Sequence, residues 1–540
     1  MRIKDFALKL IRRMADSLKR FYVPCAFCLL CFVLLSAEII SVKSLSEKID
    51  RLIYSCPLGI FSGVFASLLK SEKRPSLIKA VRITLPAGLF AVGFVARFFI
   101  GEDYLAYYNM AVLGICGVML FLTMFLLSMR RDEKPLFGHL LKSFVFVQCV
   151  CLIIFVGLSL CIWAFDSLIY SLNSPWKLYE ITGLFCHLLL AFCLFVSFIP
   201  EEDEQLKSEG LYTLLVYKVA FPVYLLLLAI LYAYFGKIIF TWNLPSGKIN
   251  WFSSFALLFY VFFYLSLRSE ETRPAVIFVK YAGIAMAPVV ILQLTAIIIR
   301  LREYGFTSPR VLSLAFIAIG VAFMADSVLK KNPKTAYLFG AIVIFTVTLT
   351  PLNCIDIPIY NQTAIIKEVL TQNDMLKEGE IIPNPDLSPE QRDRIRSAHE
   401  YLRQTEGRLS EFAQRAVFAE SRDFEAAYGF PYEEEREDER DYNRYFASYE
   451  EKIDISGYSM MRPFSCDSRS SSITIGEEDF DIYDYLIALK ALYPEGMNSN
   501  SSLLFSYDDE RDLYFTNINV EYDREKNITY LYCEGYLFIN

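Results

Sequence analysis

Apolar residues along the first two thirds of the chain gather into long runs separated by short polar segments, and the runs stop after residue 352. A helix crossing a bilayer core of about 30 Å needs roughly 20 apolar residues at about 1.5 Å each. Runs of that kind fall at 21–40, 52–69, 84–101, 108–128, 143–165, 180–200, 211–240, 251–267, 275–299, 311–329 and 337–352. The pattern predicts an α-helical transmembrane bundle of about 11 spans over residues 21–352, with a polar segment at 1–20 ahead of it. That long polar leader, and the lack of a clear small-x-small site after the first run, make the run an uncleaved anchor rather than a secretory signal.

Beyond 352 the pattern changes twice. Residues 353–450 are acidic and read as a mainly helical connector. Ser388-Pro389-Glu390-Gln391 is a helix start: Ser388 caps, proline suits the first helical position and Gln391 reaches back. The stretch to about Ala427 carries Tyr401, Leu409, Phe412 and Phe418 as apolar contacts. The charge run at 433–440 reads as a solvated linker or helix face, and it lacks the alternating oxygen ligands around a tight turn that calcium requires. Residues 451–540 read as a small C-terminal α+β domain, with short strands at 452–458 and 471–475 and a helix at 482–493. A strand meander follows at 502–507, 513–522 and 528–539, its alternation clearest at Ile518, Val520 and Tyr522.

Charge separates the two parts further. Residues 1–352 hold 34 Lys+Arg against 21 Asp+Glu, whereas residues 353–540 hold 19 against 39. The acidic part argues against nucleic-acid binding, which needs clustered cations to neutralise phosphates. With the N-terminus inside, the polar segments on the cytoplasmic side carry 22 basic residues and those on the other side carry 8. The bias predicts a cytoplasmic basic N-terminus and an extracytoplasmic C-terminal domain. Trp163, Trp176, Trp242 and Trp251 all fall near the outer boundary, where amphipathic rings prefer to sit.

The search for chemistry gives few residues. No GxSxG, HExxH, Walker or GxGxxG pattern occurs, and His139, His187 and His399 form no ligand set, so no catalytic residue, metal or cofactor is assigned. Cys25, Cys28 and Cys31 lie inside an apolar run with no fourth ligand nearby and read as packing. Cys466 and Cys533 could form a disulfide outside the cytoplasm. Arg97, Glu38, Lys237, Lys218, Lys280 and Asp326 lie near span ends, where snorkelling or interfacial pairing explains them; Asp326 and Lys330 are spaced to share a helical face. Two intramembrane residues stand apart. His187 lies near the middle of its span, and Gln293 lies about a turn beyond Pro288. Pro222 and Pro288 interrupt apolar runs, as in transporters with discontinuous helices and as in ordinary kinked spans.

Three stretches resemble one family. They are Lys218 to Pro222 continuing through Leu231 to Lys237; Arg300 to Arg310, with a Tyr-Gly-x-Thr-x-x-Arg loop; and Pro351 to Gln362. In these the chain is similar to the bacterial membrane family called domain of unknown function 4153, best over residues 211–365. The resemblance implies a multi-span protein of the bacterial cytoplasmic membrane and supplies no activity. The loop joins the ninth and tenth spans and the last stretch leaves the eleventh, so two crossings return the chain to one face, as a candidate polar patch of Arg300, Arg302, Tyr304, Gly305, Thr307, Arg310, Asn353, Asp356 and Gln362. In it the arginines offer cationic forks to the Asp356 carboxylate. The favoured expectation is a non-enzymatic envelope protein whose lipid-embedded bundle carries an outer domain for partner binding or sensing. The alternative is a permease-like transporter with a site between proline-broken spans.

Overall fold

The computed structural model describes residues 3–40, 46–101, 104–130, 135–170, 172, 174–201, 214–241, 248–329, 333–377, 380–405, 407–416, 421–432, 441–447, 458–468, 470–476, 478–493, 497–499, 503–508, 510–522 and 528–540. The charge run at 433–440, the expected strand at 452–458 up to residue 457, and Trp242, Lys330 and Phe418 lie outside them. The chain divides into two compact units, Met1–Phe430 and Pro431–Asn540, a division that falls inside the stretch composition assigns to the connector.

The first unit is a helical bundle. A strongly amphipathic helix, α1 (Ile3–Arg20), leads into it. Among the described residues ten helices are long and apolar enough to cross a membrane. They lie in α2 (Tyr22–Ile40), α3 (Ser46–Leu68), α4 (Pro75–Phe99), α5 (Leu105–Arg130) and α6 (Leu136–Leu168). The others are α7 (Pro175–Ser197), α8 (Phe221–Thr241), α9 (Lys248–Ser266), α10 (Arg273–Tyr304) and α11 (Ser308–Val328). An apolar face turned outward is what hydrocarbon solvent demands and water forbids. Leu113 and Ile153 are each 72% exposed, and Val223, Ile284 and Ile291 also face outward. The protein is a multi-pass membrane protein.

The last apolar run forms a shorter helix, α12 (Lys334–Leu349), of 16 residues. It lies antiparallel to α5, and small residues let the backbones approach. A Cβ on Gly114 would lie 2.1 Å from the Thr348 hydroxyl, and one on Gly340 would lie 2.3 Å from the Phe121 ring. Gly117 faces Ile344 in the same row. The Asp326 carboxylate near the end of α11 starts α12, accepting from the Thr335 hydroxyl (2.6 Å) and the Ala336 N–H (3.0 Å). Capping of the following helix therefore engages this buried acid, a role its spacing from Lys330 did not suggest.

Proline does not break the bundle where the apolar pattern suggested. Pro288 sits inside α10, which runs unbroken from Arg273 to Tyr304. The Tyr232 hydroxyl donates to the Ala285 carbonyl in the turn that precedes the proline, next to the Ile284 carbonyl that Pro288 leaves without a helical N–H donor. Pro222 sits in the first turn of α8, directly after a π-helical turn at Leu214–Ala220. Around these helices the core is aromatic. Tyr224 packs against Phe263 and Phe278, and Tyr260 stacks on Tyr264 at 5.9 Å.

After α12 the chain turns into α13 (Asp356–Gln372), a small hairpin of β1 (Leu376–Lys377) and β2 (Glu380–Ile381), and α14 (Pro389–Gln404). The capping box read from Ser388 and Gln391 is present, with both reciprocal bonds formed. Ile395, Ala398, His399 and Leu402 form the buried face of α14, which packs on α13. Two short helices, α15 (Glu411–Ala416) and α16 (Ser421–Tyr428), complete the unit.

Among the described residues the second unit has a six-stranded sheet and one helix. Its strands are β3 (Asp441–Ala447), β4 (Met460–Ser468), β7 (Met497–Ser499), β8 (Leu503–Ser506), β9 (Arg511–Tyr522) and β10 (Ile528–Ile539). The order is β4-β10-β9-β3-β7, with β8 also pairing β9. β5 (Ser472–Ile475) and β6 (Glu478–Asp481) form a separate hairpin. Helix α17 (Tyr483–Leu492) buries Leu486 and Leu489 against the β9 residues Ile518, Val520 and Tyr522. The expected meander is thus β8-β9-β10, while β3, β4 and β7 are strands that the pattern did not announce. Cys466 and Cys533 are directly opposite in the β4–β10 register and are free thiols.

Candidate functional site

The polar end of the bundle is built around backbone groups that helices leave unpaired. α10 ends at Gly305, whose φ of 69° and ψ of −168° suit a residue with no Cβ. The Gln362 side-chain amide on α13 donates to the carbonyls of Tyr304 and Phe306 (2.8 Å each), on both sides of that glycine. Asn361 accepts the Phe306 N–H at 2.7 Å. A Cβ on Gly305 would lie 2.3 Å from the Asn361 oxygen, so the close approach and the backbone angle require the same residue. Thr307 occupies the cap position of α11 without a side-chain cap bond; Tyr401 of α14 instead bonds the Ser308 N–H and hydroxyl.

A second knot joins α5 to the start of α13. Asn353 accepts the N–H groups of Ile355 and Asp356 and donates to the Asp356 carboxylate (2.7 Å). The Tyr107 hydroxyl donates to the other Asp356 oxygen and accepts the Arg408 N–H (3.3 Å). The expected arginine–Asp356 pairing is therefore absent: the carboxylate is occupied by starting its own helix and by Tyr107. Arg310 turns back to the Gly305 carbonyl and lies over the Tyr304 ring, 5.8 Å from its centroid. Arg300 stands near enough to Arg310 for their charges to oppose one another, and Arg302 is exposed. Gly305, Tyr304 and Gln362 are thus brought together, and so are Asn353 and Asp356, but the arginines do not join Asp356. Tyr107 and Asn361, which the sequence does not single out, make decisive bonds together with Tyr401, which the sequence pattern marks only as an apolar contact.

Of the two intramembrane residues, Gln293 is 0% exposed and donates to Asn250 (3.1 Å) and Ser254 (2.8 Å) on α9. That is interhelical glue. His187 differs. It lies on a π-helical turn, Phe185–Leu190, in the middle of α7, a feature frequent at functional sites. Its Nδ1 is 3.2 Å from the Gln148 oxygen on α6, so its partner is an amide, and the Phe155 ring meets it edge-on. Both residues line a cavity of about 480 Å³ between α2, α3, α5, α6 and α7. Apart from them, Thr123 and the thiols of Cys28 and Cys31, the lining is hydrocarbon and thioether. Among the described residues no group of three or more metal-ligating side chains occurs.

A family model described as a domain of unknown function (DUF4153) matches residues 52–377. The chain belongs to this family. The DUF4153 match takes in most of α3 and everything through α13, so it contains the whole Tyr107–Asp356 and Gly305–Gln362 junction except Tyr401 and Arg408. The α2 wall of the cavity lies outside it. No curated protein and no solved structure matches the chain.

Proposed function

We propose that the protein is a non-enzymatic component of the bacterial cytoplasmic membrane, with its N-terminus inside and its C-terminal region outside, and that this region binds an envelope partner or senses a condition. The observation that carries this reading is the junction. Side chains of α5, α13 and α14 are committed to clamping the segment after the last span onto the bundle end, through Tyr107, Asn361, Gln362 and Tyr401. A clamp of that kind makes α13 and α14 a rigid platform, able to transmit a change in the bundle to whatever the chain presents beyond it. The outward orientation is supported by the 22-to-8 bias in basic residues. It is supported too by α12, which runs alongside α5 and so counts as an eleventh crossing.

The permease alternative needs polar groups converging at mid-depth. The Gln293 amide N–H groups are taken up by Asn250 and Ser254, its buried oxygen stands alone among the described residues rather than with other converging polar groups, and the cavity beside His187 is apolar. Two experiments test the proposal. A reporter enzyme active only outside the cytoplasm, fused to Asn540, must be active. In a strain lacking the gene, envelope-stress and solute-uptake phenotypes must be restored by the full chain and not by Tyr107→Phe or by a chain ending at Phe430. Full restoration by the shortened chain, together with loss of uptake in Gln293→Leu at normal protein level, would favour the permease.

A further inference from the structure

The cavity between α2, α3, α5, α6 and α7 has a shape, a depth and a charge environment that point to one ligand. Its volume, about 480 Å³, lies in the range of sites for small organic ligands, about 300–1,000 Å³. It runs along α7 from His187 and Leu188 to Ile199. Those residues span roughly 17 Å at 1.5 Å per residue, close to the ~15 Å that one leaflet contributes to the hydrocarbon core. At the deep end His187 and Gln148 hydrogen-bond to each other, a polar floor that stops an apolar chain near the bundle's mid-depth.

The shallow end carries several cations, with the exposed Glu201 following Ile199 and Pro200 there. Arg13 and Arg20 of α1 bond the carbonyls of Ser197 and Ile199, where α7 stops. Leu68, at the end of α3, packs in one cluster with Phe21, Leu127, Val196 and Ile199, the last three of which line the cavity. Directly after Leu68 a groove of about 490 Å³ is lined by Lys70, Lys79 and Arg82 against the single acid Glu72. An apolar slot one leaflet deep, with basic side chains of α1 and the α3–α4 turn near its shallow end, is complementary to a molecule with a hydrocarbon tail and an anionic head.

We propose that this cavity holds one acyl chain of an anionic phospholipid, with its phosphate at the basic rim formed by α1 and the α3–α4 turn. The proposal is independent of the junction and of the direction in which the chain crosses the membrane. It needs only that the rim lies at headgroup depth.

The full-length protein, reconstituted in vesicles, tests it. Phosphatidylglycerol or phosphatidylcholine carrying a photoactivatable diazirine on the acyl chain is the probe, and labelled peptides are read by mass spectrometry. Bulk lipid must label the outward residues Leu113 and Ile153 equally from both lipids. Leu188 and Phe192 must be labelled several-fold more from phosphatidylglycerol. Filling the cavity with Ala191→Phe, or with Val64→Phe should the first variant fail to fold, must remove the Leu188 and Phe192 label and leave the outward label. Lys79→Gln with Arg82→Gln must reduce the phosphatidylglycerol label to the phosphatidylcholine level. Labelling of Leu188 no greater than that of Met286, buried elsewhere, overturns the site. So does labelling that survives both filling variants. Equal labelling from the two lipids, or labelling only by a free diazirine fatty acid, overturns the anionic phospholipid as its occupant.

Discussion

Acid should loosen the platform through one histidine. His399 lies on the buried face of α14, 1% exposed, with its ring edge-on to Phe424 at 4.9 Å and to Tyr428 at 6.3 Å. Burial, and secondarily the Arg403 charge, lower its pKa from 6.5 to about 4, with Glu400 opposing. A histidine held neutral in the fold is protonated first in the open state. Its stabilising contribution is therefore complete above 6.5 and is lost as pH falls towards 4. The full gap corresponds to about 3.5 kcal/mol at about 1.4 kcal/mol per pH unit, of which about 3 kcal/mol, or roughly a hundredfold in the opening equilibrium of α14, is lost by pH 4. Hydrogen exchange of residues 389–404 in the full-length protein, corrected for intrinsic rates, reads that equilibrium directly. Opening should rise by up to about two decades from pH 7 to pH 4 in the wild type, and much less in His399→Leu. Other groups titrate in the same window, so the difference between the two proteins is the measurement. A difference that stays constant from pH 7 to pH 4 refutes the argument, because the histidine would then have the same proton affinity open and closed.

Three further outcomes follow from named contacts. Gly305→Ala should lower thermal stability by about 2 kcal/mol or more, since it combines a backbone conformation costing about 1–3 kcal/mol outside glycine with a clash on Asn361; a loss under about 0.5 kcal/mol would show that the turn can relax. Tyr107→Phe should cost about 1.5–3 kcal/mol through its bond to a carboxylate and should raise protease cutting near Arg408, and unchanged cutting would mean that the Asp356 knot does not hold that segment. In cells, a non-reducing digest should recover a peptide pair linked through Cys466 and Cys533, which face one another across β4 and β10; after reduction Cys466 should alkylate faster than Cys533, whose thiol burial pushes up to about 12, and recovery of only free thiols in every preparation would place the region in a reducing compartment.

The bundle was legible because apolar runs of span length have one stable form in lipid, and each expected run corresponds to a helix. Helix ends were legible where a cap is local, as at Ser388 and Gln391, whose bonds join residues three apart. Strands were legible where one face is buried in alternation, as in β9 and β10. β3 and β4 escaped for a physical reason. β3 follows a charge run, and β4 has mostly exposed side chains, with Phe464 as its buried residue, so neither presents a clean two-residue period. β4 is held by backbone pairing along one edge of β10, a long-range partner that no local pattern encodes.

The same distinction between local and long-range information explains what was missed in the polar patch and the cavity. Two crossings, α11 and α12, suffice to return the chain from the α10–α11 turn to the same end at the start of α13. Complementary charge does not suffice to decide which groups pair there. Asp356 is the first residue of a helix, and Asn353 three residues earlier organises its N–H and its carboxylate; a helix start already holds that anion before an arginine can compete for it. Arg310, in the first turn of its own helix, finds the Gly305 carbonyl close by. Local capping therefore outcompeted charge attraction in both cases, as expected where an exposed ion pair is worth only about 0–1 kcal/mol and an orphaned helix-end group costs more. The cavity is further still from the sequence, because it is defined by space left among five helices, none of which carries a mark of it beyond one mid-span histidine. His187 stands out in the sequence only by its mid-span position, and its partner is an amide 39 residues away on the neighbouring helix. A glutamine in an apolar span gives no signal of its own until a facing histidine makes it one end of a pair.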